Sequence, residues 1–313
     1  MVGSMRGLLV VNPRATTTSA RVTDVIVNAL SNELDLQVTM TTHRGHGFEL
    51  GRAARAQGLD IVITLGGDGV VNEVVNGMLE EGIGENIPIL ATVPGGSGNV
   101  FARALGIPVD AVEATGEIME AIRANRTRTI GLGRVNGRWF TSNAGVGLDA
   151  EIITAMEEQR SAGRTASPTR YLTTFLRQYF ARTDRKNPAL TLTSAKGVNE
   201  GVFAVVVQNT APWTYFGSWP IDPCPQASFD TGLDVFALRD LGLFAAARAA
   251  RRMLARSTAG STKESIVVSH DLEAFTITCS RPMPMQVDGE STPEVTEAVF
   301  VSVPSALRVI AVQ

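Results

Sequence analysis

The amino-acid sequence predicts an α/β fold: a Rossmann-like, three-layer domain followed by a mostly antiparallel β-sandwich domain. Three observations support this prediction. Short apolar runs alternate with helical patterns up to residue 125, which is typical of a parallel sheet covered on both faces. Two of these runs end in glycine-rich loops. After residue 129, strand-like segments follow one another with few helices between them, which indicates antiparallel β structure.

The chain has 313 residues, which exceeds the usual size of a single hydrophobic core, so two domains are expected. We predict an α/β domain over residues 1–128 and a β-sandwich domain over residues 129–290. The last segment, 291–313, is a candidate for completing the first domain. The formal net charge of −3 argues against wholesale nucleic-acid binding, which usually needs a clearly basic domain.

The first two predicted strands end in polar residues. Gly7–Val11 is a continuous apolar run, and a helix over residues 19–33 and a strand at Leu36–Met40 follow it. Because open α/β sheets bind ligands at the carboxyl ends of their strands, the residues there are candidate ligand contacts. They are Asn12, Pro13, Arg14, Ala15 and Thr16 after the first strand, and Thr41 after the second.

A helix over residues 47–57 leads to the central strand, and this strand runs into Gly66-Gly67-Asp68-Gly69 before a helical pattern begins. Glycines let the backbone approach an anion closely, and a helix N-terminus offers N–H groups and the positive end of its dipole. A carboxylate repels phosphates, so its presence beside them indicates either that a cation lies between the two groups or that the carboxylate removes a proton from a reacting group. The loop therefore predicts a nucleotide–Mg²⁺ site that contains an acid.

A second glycine-rich loop strengthens this interpretation. The strand Ile87–Val93 runs into residues 94–99, which include Gly96, Ser97 and Asn99, and a helix starts near Phe101. Either loop alone could be an ordinary tight turn. Two such loops at neighbouring strand ends of one sheet point much more strongly to a binding site for phosphates.

The second part contains two arginine-rich helical patterns. Residues 170–182 carry apolar side chains at helical spacing with arginines on the other face, and Arg248, Arg252 and Arg256 are four residues apart. Each could be a core helix with a solvated face or a basic surface that meets anionic lipid headgroups. No apolar run is long enough for a membrane span, and the two cysteines, Cys224 and Cys279, fit a reducing compartment. We expect a cytoplasmic protein.

Five motifs resemble the diacylglycerol kinase catalytic-domain family, the bacterial lipid kinases that are related to sphingosine kinases. They lie in the family's order along nearly the whole chain: residues 66–77, 94–103, 144–150, 230–235 and 288–290. The resemblance implies ATP-dependent phosphorylation of a lipid hydroxyl, most simply diacylglycerol to phosphatidic acid in phospholipid metabolism. It also implies an active site in a cleft between the two domains.

The resemblance also implies roles for individual residues. Asp68 would act through Mg²⁺ on the phosphates, and Glu290 would be the general base that removes the proton of the lipid hydroxyl. Asp230 would anchor a structural Mg²⁺ with backbone carbonyls near Ala227 and Gly232. Residues expected to contact ATP are Asn12, Pro13, Arg14, Ala15, Thr16, Thr41, Gly66, Gly67, Asp68, Gly69, Asn72, Glu73, Gly96, Ser97 and Asn99. A lipid substrate further implies peripheral contact with a membrane surface. The sequence does not decide between a monomer and a homodimer.

Three positions depart from the family pattern. Val70 replaces a threonine, Val100 stands where many members carry aspartate, and Gly131 replaces another aspartate. These changes leave the lipid open, whether diacylglycerol, a sphingoid base or another glycerolipid. Two further alternatives are an NAD kinase, which shares the Gly-Gly-Asp-Gly loop, and a nucleotide- or lipid-binding regulator that has lost catalysis. Because Asp68 and Glu290 are both present, we prefer the kinase.

Overall fold

The computed structural model describes residues 5–15, 19–161, 173–174, 177–179, 183–258 and 265–312. The chain divides into two compact units, residues 1–131 with 305–313, and residues 132–304. The α/β prediction is confirmed, with a parallel sheet in the first unit and antiparallel pairing in the second. The division at residues 128 and 290 that we expect from the sequence stays a prediction.

The first unit is built on parallel strands in the order β4-β3-β1-β2. Its elements are β1 (Arg6–Val11), α1 (Ala20–Ser31), β2 (Asp35–Met40), α2 (His46–Ala56), β3 (Ile61–Gly66), α3 (Asp68–Met78), β4 (Ile89–Pro94), α4 (Val100–Ala104) and α5 (Ala111–Arg123). All six residues of β3 and all six of β4 are buried, as expected for parallel strands covered on both faces.

Helices cover the sheet of the first unit. Side chains of α1 and α5 form one core with alternate residues of β1, β3 and β4. Polar caps fix the starts of these two helices, because the Ser19 hydroxyl accepts the Val22 N–H and the Asp110 carboxylate accepts the N–H groups of Val112 and Glu113. Helices α2 and α3 cross each other closely: a Cβ on Gly77 would lie 2.0 Å from the Phe48 carbonyl oxygen.

The second unit is mostly antiparallel. Its elements are β5 (Thr127–Val135), which begins in the first unit, β6 (Arg138–Phe140), β7 (Asn143–Gly147), α6 (Leu148–Ser161), β8 (Leu190–Ser194), β9 (Gly197–Val202), β10 (Ala204–Gln208), β11 (Thr214–Phe216), β12 (Trp219–Ile221), β13 (Leu233–Leu238), α7 (Leu243–Leu254), β14 (Ile266–Leu272), β15 (Ala274–Val287) and β16 (Glu290–Ile310), which ends in the first unit.

The long strand β15 joins two layers of this second unit. Its residues 275–279 pair with β8, whereas residues 285–287 pair with β7. The register of β15 with β16 shifts between these two parts. A strand that changes sheets at a bulge is a usual way to build a sandwich corner. One buried apolar core, which includes Val146, Val205, Ile277 and Phe300, lies between the layers.

Two features of the second unit differ from the sequence-based expectation. Helix α6 occupies residues for which we predict no helix. The stripe of Arg248, Arg252 and Arg256 is not a single cationic face, because Arg252 is buried with its guanidinium over the Phe236 ring at 5.9 Å. Most of the predicted helix over residues 170–182 lies outside the described residues. Among the residues that are described, no helix is both long and apolar enough to cross a membrane.

Candidate active site

The first glycine-rich loop joins β3 to α3. Gly67 precedes the helix in an extended conformation, and Asp68 is the first helical residue. The loop is tied to the neighbouring strand, because the Gly95 N–H donates a hydrogen bond of 2.8 Å to the Gly66 carbonyl. The N-terminus of α3, including the half-buried Gly69, therefore lies at the carboxyl end of a buried strand. The first N–H groups of a helix have no intrahelical partner, so this position favours an anion.

The second loop joins β4 to α4 and is closed by Asn99. This residue has a positive φ of 49°, a conformation that asparagine tolerates better than most residues. Its side-chain oxygen accepts the Gly96 N–H at 2.9 Å, and its side-chain nitrogen donates to the Gly96 carbonyl at 2.7 Å. The exposed Ser97 lies between these two residues, on a loop whose backbone is held from both sides.

The two loops contact each other through their glycines. A Cβ on Gly96 would lie 2.7 Å from the Gly67 Cα, and a Cβ on Gly67 would lie 3.2 Å from the Gly96 Cα. No side chain larger than hydrogen fits at Gly96 unless one loop moves. The two glycines are therefore needed for the loops to pack against each other, and they also leave space for a ligand to approach the backbone.

Asp68 connects the same two loops through its carboxylate. One oxygen accepts the Val100 N–H at 3.1 Å, and the other accepts the Phe101 N–H at 3.0 Å. Asp68 thus caps the N-terminus of α4 from the first turn of α3. A hydrogen-bonded carboxylate oxygen still has a lone pair available, so the contact leaves room for a further ligand on the same group.

Glu73, one turn further along α3, caps another helix. Its two oxygens accept the N–H groups of Gly45 and Gly47, at 2.8 and 2.9 Å, at the start of α2. The neighbouring Asn72 is buried, and its side-chain oxygen accepts a hydrogen bond from Asn76. Both residues belong to the predicted ATP-binding set. The Glu73 side chain also joins α3 to α2, whereas the Asn72 side chain bonds within α3.

The remaining predicted ATP contacts lie at the carboxyl ends of β1 and β2. The Asn12 N–H donates to the Leu65 carbonyl at 2.9 Å, and the Asn12 side chain accepts the Arg14 N–H at 3.0 Å. The Thr41 N–H donates to the Val11 carbonyl at 2.8 Å. Residues 12–15, Thr41 and both glycine-rich loops therefore lie at one edge of the sheet. Thr16 lies outside the described residues.

In the second unit, Glu290 follows a tight turn between β15 and β16. Asp288 and Gly289 both have positive φ, 48° and 78°, so the chain reverses within two residues. The Glu290 carboxylate accepts a hydrogen bond of 2.9 Å from Arg138 and is about one-fifth exposed, at 19%. This confirms that Glu290 lies at a turn after an apolar strand, whereas its role as a base stays a prediction.

Asp288 fixes this turn from the buried side. Its carboxylate accepts hydrogen bonds from the backbone N–H groups of Thr141, Ser142 and Asn143 and from the Thr141 hydroxyl, all between 2.8 and 3.0 Å. Four donors on one buried carboxylate compensate for the loss of its hydration. The turn that carries Glu290 is therefore anchored to the segment between β6 and β7.

Gln286 connects the same turn to a second buried acid. Its side-chain nitrogen donates to Asp149 at 2.8 Å and to Asn143 at 3.0 Å, and its oxygen accepts the Gly289 N–H at 2.9 Å. Burial raises the pKa of Asp149 from 3.8 to about 6. Gly145 makes room for this acid, since a Cβ there would lie 1.9 Å from the Asp149 oxygen.

We did not predict Gln286 from the sequence, although it is visible as a polar residue within the apolar strand end Met283–Val287. Its two partners, Asp149 and Asn143, lie more than 130 residues away. No short motif could have revealed that network.

The comparisons with known proteins find similarity mainly in the first part of the chain. Residues 6–135 match the family model described as Diacylglycerol kinase catalytic domain. The diacylglycerol kinase of Bacillus subtilis is 38% identical over 113 residues, 36% of this chain and 35% of that protein. The diacylglycerol kinase of Staphylococcus haemolyticus is 32% identical over 129 residues, 41% of this chain and 37% of that protein.

The matched segments therefore span little more than a third of these relatives, and the motifs at residues 144–150, 230–235 and 288–290 lie beyond the family match. A solved structure covers more of the chain. The crystal structure of a diacylglycerol kinase from Bacillus anthracis has a TM-score of 0.74 at 21% identity and covers 98% of this chain and 96% of that one. At this identity the likeness shows a shared fold.

Two of the positions that depart from the diacylglycerol kinase pattern are buried, one at each glycine-rich loop. The Val70 side chain packs against the first loop, where a Cβ on Gly66 would lie 2.6 Å from it. Val100 is buried and presents its N–H, not its side chain, to Asp68. Both valines therefore complete the packing of the loops.

The residues predicted to hold a structural Mg²⁺ lie between β12 and β13. Asp230 is exposed and Ala227 is buried, while the Gly232 N–H donates to Asp271 at 2.6 Å. Among the described residues, no group of three or more His, Cys, Asp or Glu side chains could hold a metal ion. A metal here would depend on one carboxylate and on carbonyl oxygens, which suits a hard cation such as Mg²⁺.

Proposed function

We propose that the chain is an ATP- and Mg²⁺-dependent lipid kinase that transfers the γ-phosphoryl group to the hydroxyl of diacylglycerol, forming phosphatidic acid. The observation that carries this proposal is the pair of glycine-rich loops that Asp68 joins, in the segment that matches the family model described as Diacylglycerol kinase catalytic domain. The N-terminus of α3 and two loops that are hydrogen-bonded to each other at one sheet edge suit a chain of phosphates.

Nucleotide binding is assigned to the first unit. In the proposal, backbone N–H groups of Gly66–Gly69, Ser97 and Gly98 receive the phosphates, and residues 12–16 and Thr41 border the nucleotide. The contacts of Asp68 and Asn99 hold both loops in place before ATP arrives, so little order has to be gained on binding. Glu73 supports this arrangement indirectly by fixing α2.

The residues also fit a catalytic Mg²⁺. This cation is usually bound by one or two carboxylates together with substrate phosphates, and it keeps several waters. Asp68 is the carboxylate placed among the phosphate-binding groups, so we assign the metal to Asp68 and the ATP phosphates. When bound, the metal neutralises charge on the transferring group. A structural Mg²⁺ at Asp230, with the carbonyls of Ala227 and Gly232, is part of the same proposal.

Proton removal is assigned to Glu290. The lipid hydroxyl oxygen attacks the γ-phosphorus, the bond to the β-phosphate oxygen breaks, and ADP leaves, while the hydroxyl proton moves to the Glu290 carboxylate. Arg138 holds this carboxylate in position through its hydrogen bond, and Asp288 fixes the turn that carries it. A positioned carboxylate of this kind contributes on the order of 10²–10⁴ in rate.

A transfer assay with labelled ATP and Mg²⁺ tests the activity. The full chain is offered diacylglycerol, a sphingoid base, mixed glycerolipids and NAD in separate reactions. We expect label in an organic-extractable product that comigrates with phosphatidic acid. Label only in another lipid would show that this lipid, and not diacylglycerol, is the substrate. Label in NADP would indicate an NAD kinase, and no transfer to any acceptor would indicate a nucleotide- or lipid-binding regulator.

Two substitutions test the assigned roles. Asp68→Asn and Glu290→Gln should each lower kcat at least about a hundredfold, because they remove groups that handle metal charge and the proton. Glu294→Gln is a matched control, since Glu294 is exposed on the same strand as Glu290. Circular dichroism and thermal melting show whether each variant is folded. Activity of the Glu290 variant near that of the control would remove Glu290 as the base.

Cytoplasmic location, peripheral contact with a membrane and the division of roles between the two parts of the chain belong to this proposal. The comparison with a protein of Chromohalobacter salexigens named "Probable lipid kinase YegS-like", 36% identical over 117 residues, is consistent with a lipid acceptor in the wider sense. It also justifies the other lipids in the transfer assay.

A further inference from the structure

The β11–β12 hairpin exposes aromatic side chains to solvent. Phe216 and Trp219 are cross-strand partners on either side of the two-residue tip, and Trp219 is 72% exposed. Residues 211–221 contain four aromatic side chains and no charged residue, although the chain as a whole is only 6% aromatic and 19% charged. Phe216 and Trp219 are the exposed ones, and exposed aromatic side chains that lie side by side can mark an interaction site.

Helix α7 also exposes apolar side chains. Its buried face consists of Ala245, Ala249 and Arg252. The opposite face would normally be polar throughout, but it carries Phe244, which is 92% exposed, and Leu254 near the other end. Its charged residues are Arg248 and Arg251, and residues 243–254 contain no acid.

The hairpin and α7 are neighbours in the second unit. The Asp222 N–H, directly after β12, donates a hydrogen bond of 3.0 Å to the Met253 carbonyl in the last turn of α7. Arg256, just after the helix, lies 3.5 Å from the Asp222 carboxylate. We therefore treat the two elements together and call their exposed residues the aromatic–arginine surface: Phe216, Trp219, Phe244, Arg248, Arg251 and Leu254.

We propose that the aromatic–arginine surface docks on an anionic bilayer, with Trp219 and Phe244 entering the headgroup region and Arg248 and Arg251 contacting lipid phosphates. The inference rests on the proposed lipid kinase function and adds the part of the chain that meets the membrane. Helices with Phe or Leu beside Arg and without acids are typical of binding in the interface plane. Tryptophan rings are favoured at the same depth.

Charge favours a bilayer over a second copy of the chain. In a two-fold symmetric dimer the same patch lies on both subunits, so Arg248 and Arg251 would face a patch that carries the same positive charges. The exposed face of α7 has no acid to pair with them. An anionic lipid surface supplies the opposite charge in excess and also receives the aromatic rings.

Binding to vesicles tests the proposal without any use of the kinase activity. The full chain is sedimented with vesicles of phosphatidylglycerol and phosphatidylcholine in equal parts, and with phosphatidylcholine alone as a reference. Trp219→Ser and Phe244→Ser should each lower the partition coefficient about tenfold, as expected when one large apolar side chain no longer leaves water. Arg248→Gln with Arg251→Gln should weaken binding to the anionic vesicles only, and added salt should remove the difference.

Matched controls separate this surface from general effects. Val198→Ser changes an exposed apolar residue elsewhere in the second unit, and Arg21→Gln removes an exposed arginine of the first unit. Both should bind vesicles like the unaltered protein. If Trp219→Ser and Phe244→Ser also bind unchanged, or if they abolish a concentration-dependent dimer seen by sedimentation, the docking proposal is wrong.

The proposed function can fail independently of the docking proposal. Transfer of phosphate to short-chain diacylglycerol in detergent micelles does not require a bilayer, so the surface variants should keep the turnover of the unaltered protein there. Vesicle binding that depends on Trp219 and Phe244 without any transfer would uphold the docking surface and refute the kinase. Transfer of phosphate in micelles, together with vesicle binding that does not depend on Trp219 or Phe244, would uphold the kinase and refute the docking surface.

Discussion

The carboxyl group of Asp149 is buried at the start of α6, and burial raises its pKa from 3.8 to about 6. In the unfolded chain this group ionises near the lower value. The folded state therefore holds its proton more tightly, and the contribution of this group to stability is complete below the unfolded pKa and lost as the pH rises through 6. The difference between the folded and unfolded pKa corresponds to about 3 kcal/mol in the free energy of unfolding.

Asp149→Asn should remove this dependence. The amide still accepts the hydrogen bond from Gln286 and does not ionise. The free energy of unfolding of the variant, relative to that of the unaltered protein, should therefore rise by about 3 kcal/mol as the pH increases from 4 to 7. Urea unfolding of both proteins across that range measures the difference, in which all other titrating groups cancel. A constant difference across the range would show that Asp149 ionises in the folded protein as it does in the unfolded chain.

At the scale of secondary-structure elements, the contact between the two glycine-rich loops determines the shape of the nucleotide site. Gly96→Ala introduces a Cβ that lies 2.7 Å from the Gly67 Cα, so it should destabilise the protein by about 1–3 kcal/mol, the usual cost of overpacking. It should also weaken ATP binding, because the loops must separate. Chemical denaturation and titration with a fluorescent ATP analogue measure the two effects.

Gly116→Ala is the matched control for the same chemical change. Gly116 lies within α5, and a Cβ there meets nothing within 4 Å. Alanine should stabilise this helix by about 0.5–1 kcal/mol, since glycine is unfavourable in a helix interior. Equal effects of the two substitutions would mean that the loops do not depend on the glycine contact.

The elements that sequence patterns predict well are those whose signal is local. The central strand and the loops at Gly66 and Gly96 follow from apolar runs that end in glycine, and the structure places them where the sequence indicates. The sequence does not predict helix α6, because this helix follows directly on the apolar strand β7 in a region of strand-like segments. Its signal was present, since Leu148, Ile152 and Met156 recur every four residues and are buried.

The contacts that the sequence could not predict are long-range. Gln286 reaches Asp149 only because β15 pairs with β7, which places Gln286 opposite Gly145. Asp68 looked from the sequence like an acid reserved for a metal, whereas it also caps α4, which begins 32 residues later. Such pairings depend on strand register and helix placement, neither of which leaves a pattern in neighbouring residues.

At the scale of the whole molecule, the chain leaves the first unit after residue 131 and returns to it at residue 305. The returning segment pairs with the parallel sheet, with Val309 opposite Leu90. Ile310 and Val312 join the core that α1 and α5 form with the sheet. The first unit is therefore completed by residues that follow the second unit in the chain, so it cannot reach its final packing before residues 305–312 have been synthesised.

Ile310→Ala tests this assignment. Removing a buried isoleucine side chain should cost about 2–5 kcal/mol, and the loss should fall on the first unit because Ile310 packs in its core. Hydrogen exchange should report faster exchange in β3 and β4, while β10 and β13 keep their protection. Arg308→Ala, an exposed neighbour on the same strand, should change stability by less than about 0.5 kcal/mol. Faster exchange confined to β10 and β13 would instead assign the C-terminal segment to the second unit.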